Sequence, residues 1–250
     1  MVNYIKGSRI KNFFNVVLYF FNNIFVLGIL TTIFIINSDI DINNISNEKA
    51  TNIVFSDMMV IMFITTLITL ILLVIININE LKQQLLLNIK NKYTYFYPIL
   101  LIIVYFVIMA IFTFIVEIIN PNLSEPENNQ SIINMFNSGN TFVFIINVVF
   151  IAPIVEELIF RYSIVNIFHI NNKIFSWVPY MISAIIFAFI HEVGFITNFT
   201  LDNLLQFLTY FIPALILSFG YMFTKRNIVS MFLLHIFINS MATLAIVFNL

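Results

Sequence analysis

The segment Ala152–Phe168, APIVEELIFRYSIVNIF, sets Glu156, Glu157 and Arg161 inside an apolar run long enough to cross a bilayer. Ionisable side chains at membrane depth are costly, so three together in one span mark a site or a pair. On a helix, Glu157 and Arg161 stand four apart with the acid N-terminal to the base, the favoured order for an ion pair. Glu156 is rotated from Glu157 by about 100° on a 3.6-residue helix, so it turns away from that arginine toward another helix.

Composition sets the class. With 61% hydrophobic and 9% charged residues over 250 positions, the chain is no ordinary soluble domain, in which about a quarter of residues are charged. The expectation is an all-α, polytopic membrane bundle forming a single integral-membrane domain over 1–250. There is no cysteine, which excludes disulfides, thiolate metal sites and a cysteine nucleophile. Heavy use of Phe, Ile and Asn with few Gly, Pro and Trp is the composition of an AT-rich coding sequence, such as that of a low-GC Gram-positive bacterium.

Apolar runs fall at Phe13–Ile36, Met58–Ile76, Ile99–Ile119, Thr141–Phe168, Ile174–Ile190, Leu204–Phe223 and Ile228–Phe248. At about 20 residues per crossing this predicts about seven helices. The first run is longer than the 7 to 15 apolar residues of a secretory leader and lacks a small-residue cleavage site, so it reads as a retained span. Lys6, Arg9, Lys11, Lys82, Lys90, Lys92, Lys173, Lys225 and Arg226 all fall in alternate loops on one side. Asp39, Asp41, Glu48, Glu125, Glu127, Glu192 and Asp202 fall on the other, with Lys49 as the one base there. By the positive-inside rule the N-terminus faces the cytoplasm and the C-terminus the outside of a cell membrane. Between the second and third runs, ININELKQQLLLNIKNKYTYFYP reads as an amphipathic helix on the cytoplasmic surface. The outer loop NPNLSEPENNQS reads as a mobile connector. Glu117, at the outer end of the third run, is expected to snorkel to water.

Of three histidines, two lie deep in apolar sequence. His191 ends FAFIH, one helical turn after Phe187, and His235 opens HIFIN, one turn before Asn239. His169, at the inner end of the fourth run, reads as solvated. Counted from the Asn171–Lys173 connector, Glu156 lies about 16 residues back and His191 about 19 forward. In an antiparallel hairpin those two reach similar depth, within roughly 5 Å at 1.5 Å per residue. Pro153, three residues before Glu156, is expected to kink its helix and free a carbonyl.

EELIFR, FAFIH and HIFIN, in that order on three separate spans, resemble the three motifs of the CPBP family of intramembrane proteases, also called the CAAX-protease and bacteriocin-processing or ABI family. The resemblance runs from Glu156 to Asn239, within the 141–250 half. It implies that Glu156 with His191 activates a water for attack on a peptide carbonyl and that His235 and Asn239 stabilise the oxyanion. It makes Glu157 and Arg161 supporting residues and Phe187 a pocket wall. Glu156, His191 and His235 together offer one carboxylate and two imidazoles, a set that suits catalytic zinc with an open water position. A soluble-type His-Glu-x-x-His site is excluded, because position 195 is Phe195.

The function expected is therefore an intramembrane endopeptidase acting on a peptide or membrane-associated protein, in signalling-peptide or bacteriocin maturation. Its partners are that substrate and the lipid bilayer, with no nucleic acid. Two other readings use the same residues. One is a non-catalytic immunity or regulatory protein that binds a bacteriocin or membrane partner. The other is a proton-coupled transporter, which relays protons through Glu and His but needs an internal repeat that this chain lacks.

Overall fold

The computed structural model of the chain describes residues 8–37 and 48–248, and these are helical with no strand among them. Lys6, Asp39 and Asp41, used above for topology, lie outside the described residues. The first rod, α1, runs from Arg9–Phe20 through a wider π-helical turn, Phe21–Val26, into Leu27–Asn37. It is followed by α2 (Glu48–Ile76), α3 (Ile78–Ile89), α4 (Tyr93–Ile119) and α5 (Glu127–Asn137). The motif rod, α6, spans Thr141–Ile167, with α7 (Val178–His191), the single turn α8 (Gly194–Thr197), α9 (Leu201–Phe223) and α10 (Ile228–Phe248) completing the chain.

Six of these helices are long and apolar enough to cross a membrane, and α7 is shorter. The seven expected crossings thus become six long ones and one of 14 residues. The apolar run predicted from Ile174 does not become helical until Val178, because Pro179 sits in the first helical turn, where its missing N–H costs nothing. Fourteen residues rise about 21 Å, short of a hydrocarbon core of about 30 Å. The short helix still carries the chain from one end of the bundle to the other. At one end, the His169 carbonyl accepts from Arg9 Nη2 at 2.9 Å, so the start of α1 and the end of α6 are together. At the other, Asn120, after α4, donates to Asp202 at the start of α9 at 2.8 Å.

Two loop expectations need correction. His169 is not merely solvated: its Nδ1 lies 2.8 Å from Arg226 Nη2, and Arg226 also donates to Tyr180 and Asn166, tying α6, α7 and the start of α10 together. The outer loop is not a free connector either, since Glu127–Asn137 folds into α5 and its approach is bonded along α9. The surface helix α3 forms as expected, with Leu81 buried, Leu85, Leu86 and Leu87 exposed, and Glu80 paired to Lys11 at 2.6 Å. Glu117, near the outer end of α4, is exposed.

The packed centre surrounds α6. Val155, Leu158, Ile159, Phe160 and Ile164 on α6 pack with Tyr19, Leu73, Ala184, Phe187 and Ala214 from four neighbouring helices. The exposed faces of α1 and α4 carry Phe, Ile and Leu, as a lipid-facing surface does. The interior is laced with small polar bridges, such as Asn15 to Asn77 and Ser163, and Asn22 to Thr69 at 2.6 Å.

Candidate active site

Within α6 the backbone is not a plain α-helix. Ile146–Ile151 and Glu157–Ile164 widen into π-helical turns on either side of Ala152–Glu156. Such turns offset successive side chains and recur at functional sites. Pro153 explains the first one in part. Ala152 N–H donates five residues back to Asn147, and the next donor in that series would be Pro153, which has no N–H. The carbonyl so deprived is Val148, and Asn239 on α10 fills the gap, its Nδ2 donating to Val148 O at 2.8 Å.

Glu157 and Arg161 form the predicted pair, Oε2 to Nε at 3.3 Å, with both side chains fully buried. Arg161 has further support from the Ala214 carbonyl at 3.4 Å and from the face of Phe187, whose centroid is 4.9 Å from its guanidinium carbon. Glu157 has a second partner that spacing along the chain could not show: its Oε1 accepts from His235 Nδ1 at 2.8 Å. The pair therefore reaches the motif histidine directly and does more than hold a helix face.

Glu156 points elsewhere, as its rotation requires. One oxygen is 4.0 Å from His191 Nε2, the other 3.6 Å from His235 Nε2, and its side chain keeps 16% of its accessibility while Glu157 and Arg161 keep none. His191 is held by its own helix, with Nδ1 donating to the Phe187 carbonyl at 2.8 Å. A carbonyl only accepts, so the proton of neutral His191 is on Nδ1 and the lone pair of Nε2 is turned toward Glu156. His235, donating Nδ1–H to Glu157, presents Nε2 in the same way. Phe187 stacks on His191 with centroids 4.2 Å apart and ring planes 18° apart. Thus Glu156, Glu157, Arg161, Phe187, His191 and His235 come together from α6, α7 and α10, with Asn239 one turn beyond His235.

The arrangement is a carboxylate flanked by two imidazole nitrogens, one near each of its oxygens. At 3.6 and 4.0 Å they are too far apart for direct hydrogen bonds and close enough for one intervening group that donates protons or carries positive charge. The donor set suits zinc, and each imidazole has the acceptor on its far nitrogen that orients metal-binding histidines. The separations are wider than in a closed coordination shell, and no group of three His, Asp or Glu side chains among the described residues is gathered as a metal site.

Two residues were missed. Tyr210 on α9 lies against His191, centroids 5.3 Å apart, and nothing in the sequence separates it from nine other tyrosines. Glu192, read as a loop carboxylate, is 2% exposed and accepts from Gly194 N–H at 3.1 Å.

Comparison with known proteins bears on the same stretch. The family model described as type II CAAX prenyl endopeptidase Rce1-like matches residues 138–241. An uncharacterized protein of Mycoplasma capricolum subsp. capricolum is 27% identical over 182 residues, covering 69% of this chain and 51% of its own length. The chain thus spans about half the length of that curated relative. No solved structure matches the chain. The stretch that holds all seven predicted side chains is thus similar to the Rce1-like family, which is consistent with the CPBP resemblance carried by its motifs.

Proposed function

We propose that the protein is an intramembrane endopeptidase in which Glu156 and His191 activate a water molecule for attack on a peptide carbonyl. The observation that carries this reading is that one partly accessible carboxylate has an imidazole nitrogen near each of its oxygens, His191 Nε2 at 4.0 Å and His235 Nε2 at 3.6 Å. A water seated between Glu156 and His191, about 2.8 Å from each, donates to both and is left with an oxygen lone pair for attack. As the C–O bond forms, the water proton passes to the Glu156–His191 pair and the carbonyl oxygen becomes an oxyanion. The same proton then goes to the departing amine as the C–N bond breaks.

The oxyanion falls to Asn239 and to His235, which can donate from Nε2 only once that nitrogen carries a proton, its Nδ1–H being given to Glu157. An amide nitrogen has two N–H groups, and Asn239 commits one to Val148, so the second remains for the developing charge. Arg161, one residue behind His235 through Glu157, keeps positive potential beside the site without touching substrate. If zinc is used, Glu156, His191 and His235 hold it, and the ion supplies a more acidic bound water. The substrate we favour is a signalling or bacteriocin-type peptide, or a membrane-associated protein, at a bacterial cell membrane with the N-terminus cytoplasmic.

Comparative peptidomics of cells carrying the wild type or Glu156→Gln tests the reading. Peptides trimmed only by the wild type, at equal membrane abundance of the two proteins, are the expected result; identical peptide populations would remove it.

A further inference from the structure

His191 is the last residue of α7, so no following helical turn packs over its ring. One bond to its own helix and two aromatic neighbours hold it: Phe187, and from another helix Tyr210 at 5.3 Å with ring planes 30° apart. Tyr210 is itself tied. Its hydroxyl donates to Asn129 Oδ1 at 2.7 Å and accepts from Asn128 Nδ2 at 3.3 Å, so both hydrogen-bonding roles of the phenol are filled from α5.

That tie ends a regular series. Asp202, Gln206 and Tyr210 are four apart on α9 and share one face. Their partners Asn120, Ser124 and Asn128 are also four apart in the preceding segment. Asp202 accepts from Asn120 at 2.8 Å, and Gln206 donates to the Ser124 carbonyl at 3.0 Å and to its hydroxyl at 3.1 Å. The segment is thus fastened along α9 at one-turn intervals, and the last fastening is the ring beside His191.

We propose that Tyr210 is a positioning residue for His191, and that the strap Asn120–Asn129 acts on the site by holding the Tyr210 hydroxyl. This rests on the reading of His191 as part of a hydrolytic site. Strap and site then form one mechanical unit: whatever loosens the strap lets the imidazole turn its Nε2 away from Glu156.

The test reads His191 directly. Protein labelled with ¹⁵N-histidine in nanodiscs gives signals from only three histidines, and His191→Gln assigns the one of interest. Tyr210→Leu is expected to shift the His191 ring nitrogens and mix its two tautomers, with His169 and His235 unmoved, and to lower kcat about tenfold at nearly constant KM. Tyr210→Phe and Asn129→Ala are expected to give one and the same smaller change, with no addition in the double variant. An unchanged His191 signal in Tyr210→Leu overturns the positioning role. An Asn129→Ala effect that persists in full on the Tyr210→Phe background overturns the strap. Should His191 respond as stated in a protein that cleaves nothing, the proteolytic reading fails while the positioning role stands.

Discussion

His235 leans on Glu157, Nδ1 to Oε1 at 2.8 Å, and the other oxygen of that carboxylate faces Arg161 at 3.3 Å. One buried anion thus balances a buried cation and orients a motif histidine at the same time. Removing its charge affects both. Glu157→Gln leaves Arg161 buried without a counter-charge, a change that costs about 3–5 kcal/mol in comparable sites. The double variant Glu157→Gln with Arg161→Met is expected to recover most of that stability, measured by unfolding in mixed micelles, and little of the cleavage rate. Full recovery of cleavage would show that the carboxylate has no role beyond the ion pair.

How much of this was legible follows from range. The Glu157–Arg161 pair and the outward turn of Glu156 are set by a few residues of one helix, and both could be read from spacing alone. The meeting of Glu156 with His191 followed from counting both ways from one connector, since α6 and α7 are consecutive. The Glu157–His235 bond was not legible, because it depends on the rotation of α10 about its own axis and no local pattern encodes that. Tyr210 was hidden for the same reason. The outer loop misled because Asn, Pro and Ser signal irregular backbone, while its order comes from side-chain bonds to a helix some 80 residues away. The length of α7 was misjudged because Ile174 and Phe175 are apolar yet exposed, extending the hydrophobic run past the helix that Pro179 begins.

Phe187 connects the two halves of the site. Its ring stacks on His191 at 4.2 Å and lies 4.9 Å from the Arg161 guanidinium. Phe187→Leu keeps most of the apolar volume and removes both aromatic contacts, so it is expected to cost about 1–2 kcal/mol and to lower kcat more than it raises KM. Phe187→Tyr, which keeps the ring, is the control. Equal activity of the leucine and wild-type proteins would reduce Phe187 to filler.

At the end of the bundle where α1 begins, Lys11 and Glu80 meet at 2.6 Å. Burial works against the charge of Glu80, but the bond from Lys11 outweighs it and holds the carboxyl below its usual range. A depressed folded-state value contributes stability above the unfolded one and loses it as pH falls through the folded one. Lys11→Met is therefore expected to flatten the acid limb of an unfolding curve below about pH 5 by a fraction of a kcal/mol, as for any part-exposed pair. An unchanged acid limb would mean that the pair does not persist in the bilayer.

Asn239 and Pro153 are coupled through a carbonyl that neither owns. Pro153 denies Val148 its helical donor, and Asn239 Nδ2 supplies another at 2.8 Å from a different helix. Replacing Asn239 by alanine therefore removes a possible oxyanion donor and also strands a backbone acceptor; interhelical bonds of this sort in membranes average about 0.6 kcal/mol. Pro153→Ala restores an N–H that can reach Val148 from within α6. On that background the stability cost of Asn239→Ala is expected to fall toward zero, while its effect on cleavage persists, because the second N–H of the amide has no substitute. A double-mutant cycle run on both unfolding and cleavage separates the two duties. If the cleavage defect also vanished on the Pro153→Ala background, Asn239 would serve only to close the helix gap, and the oxyanion would have to be held by His235 alone.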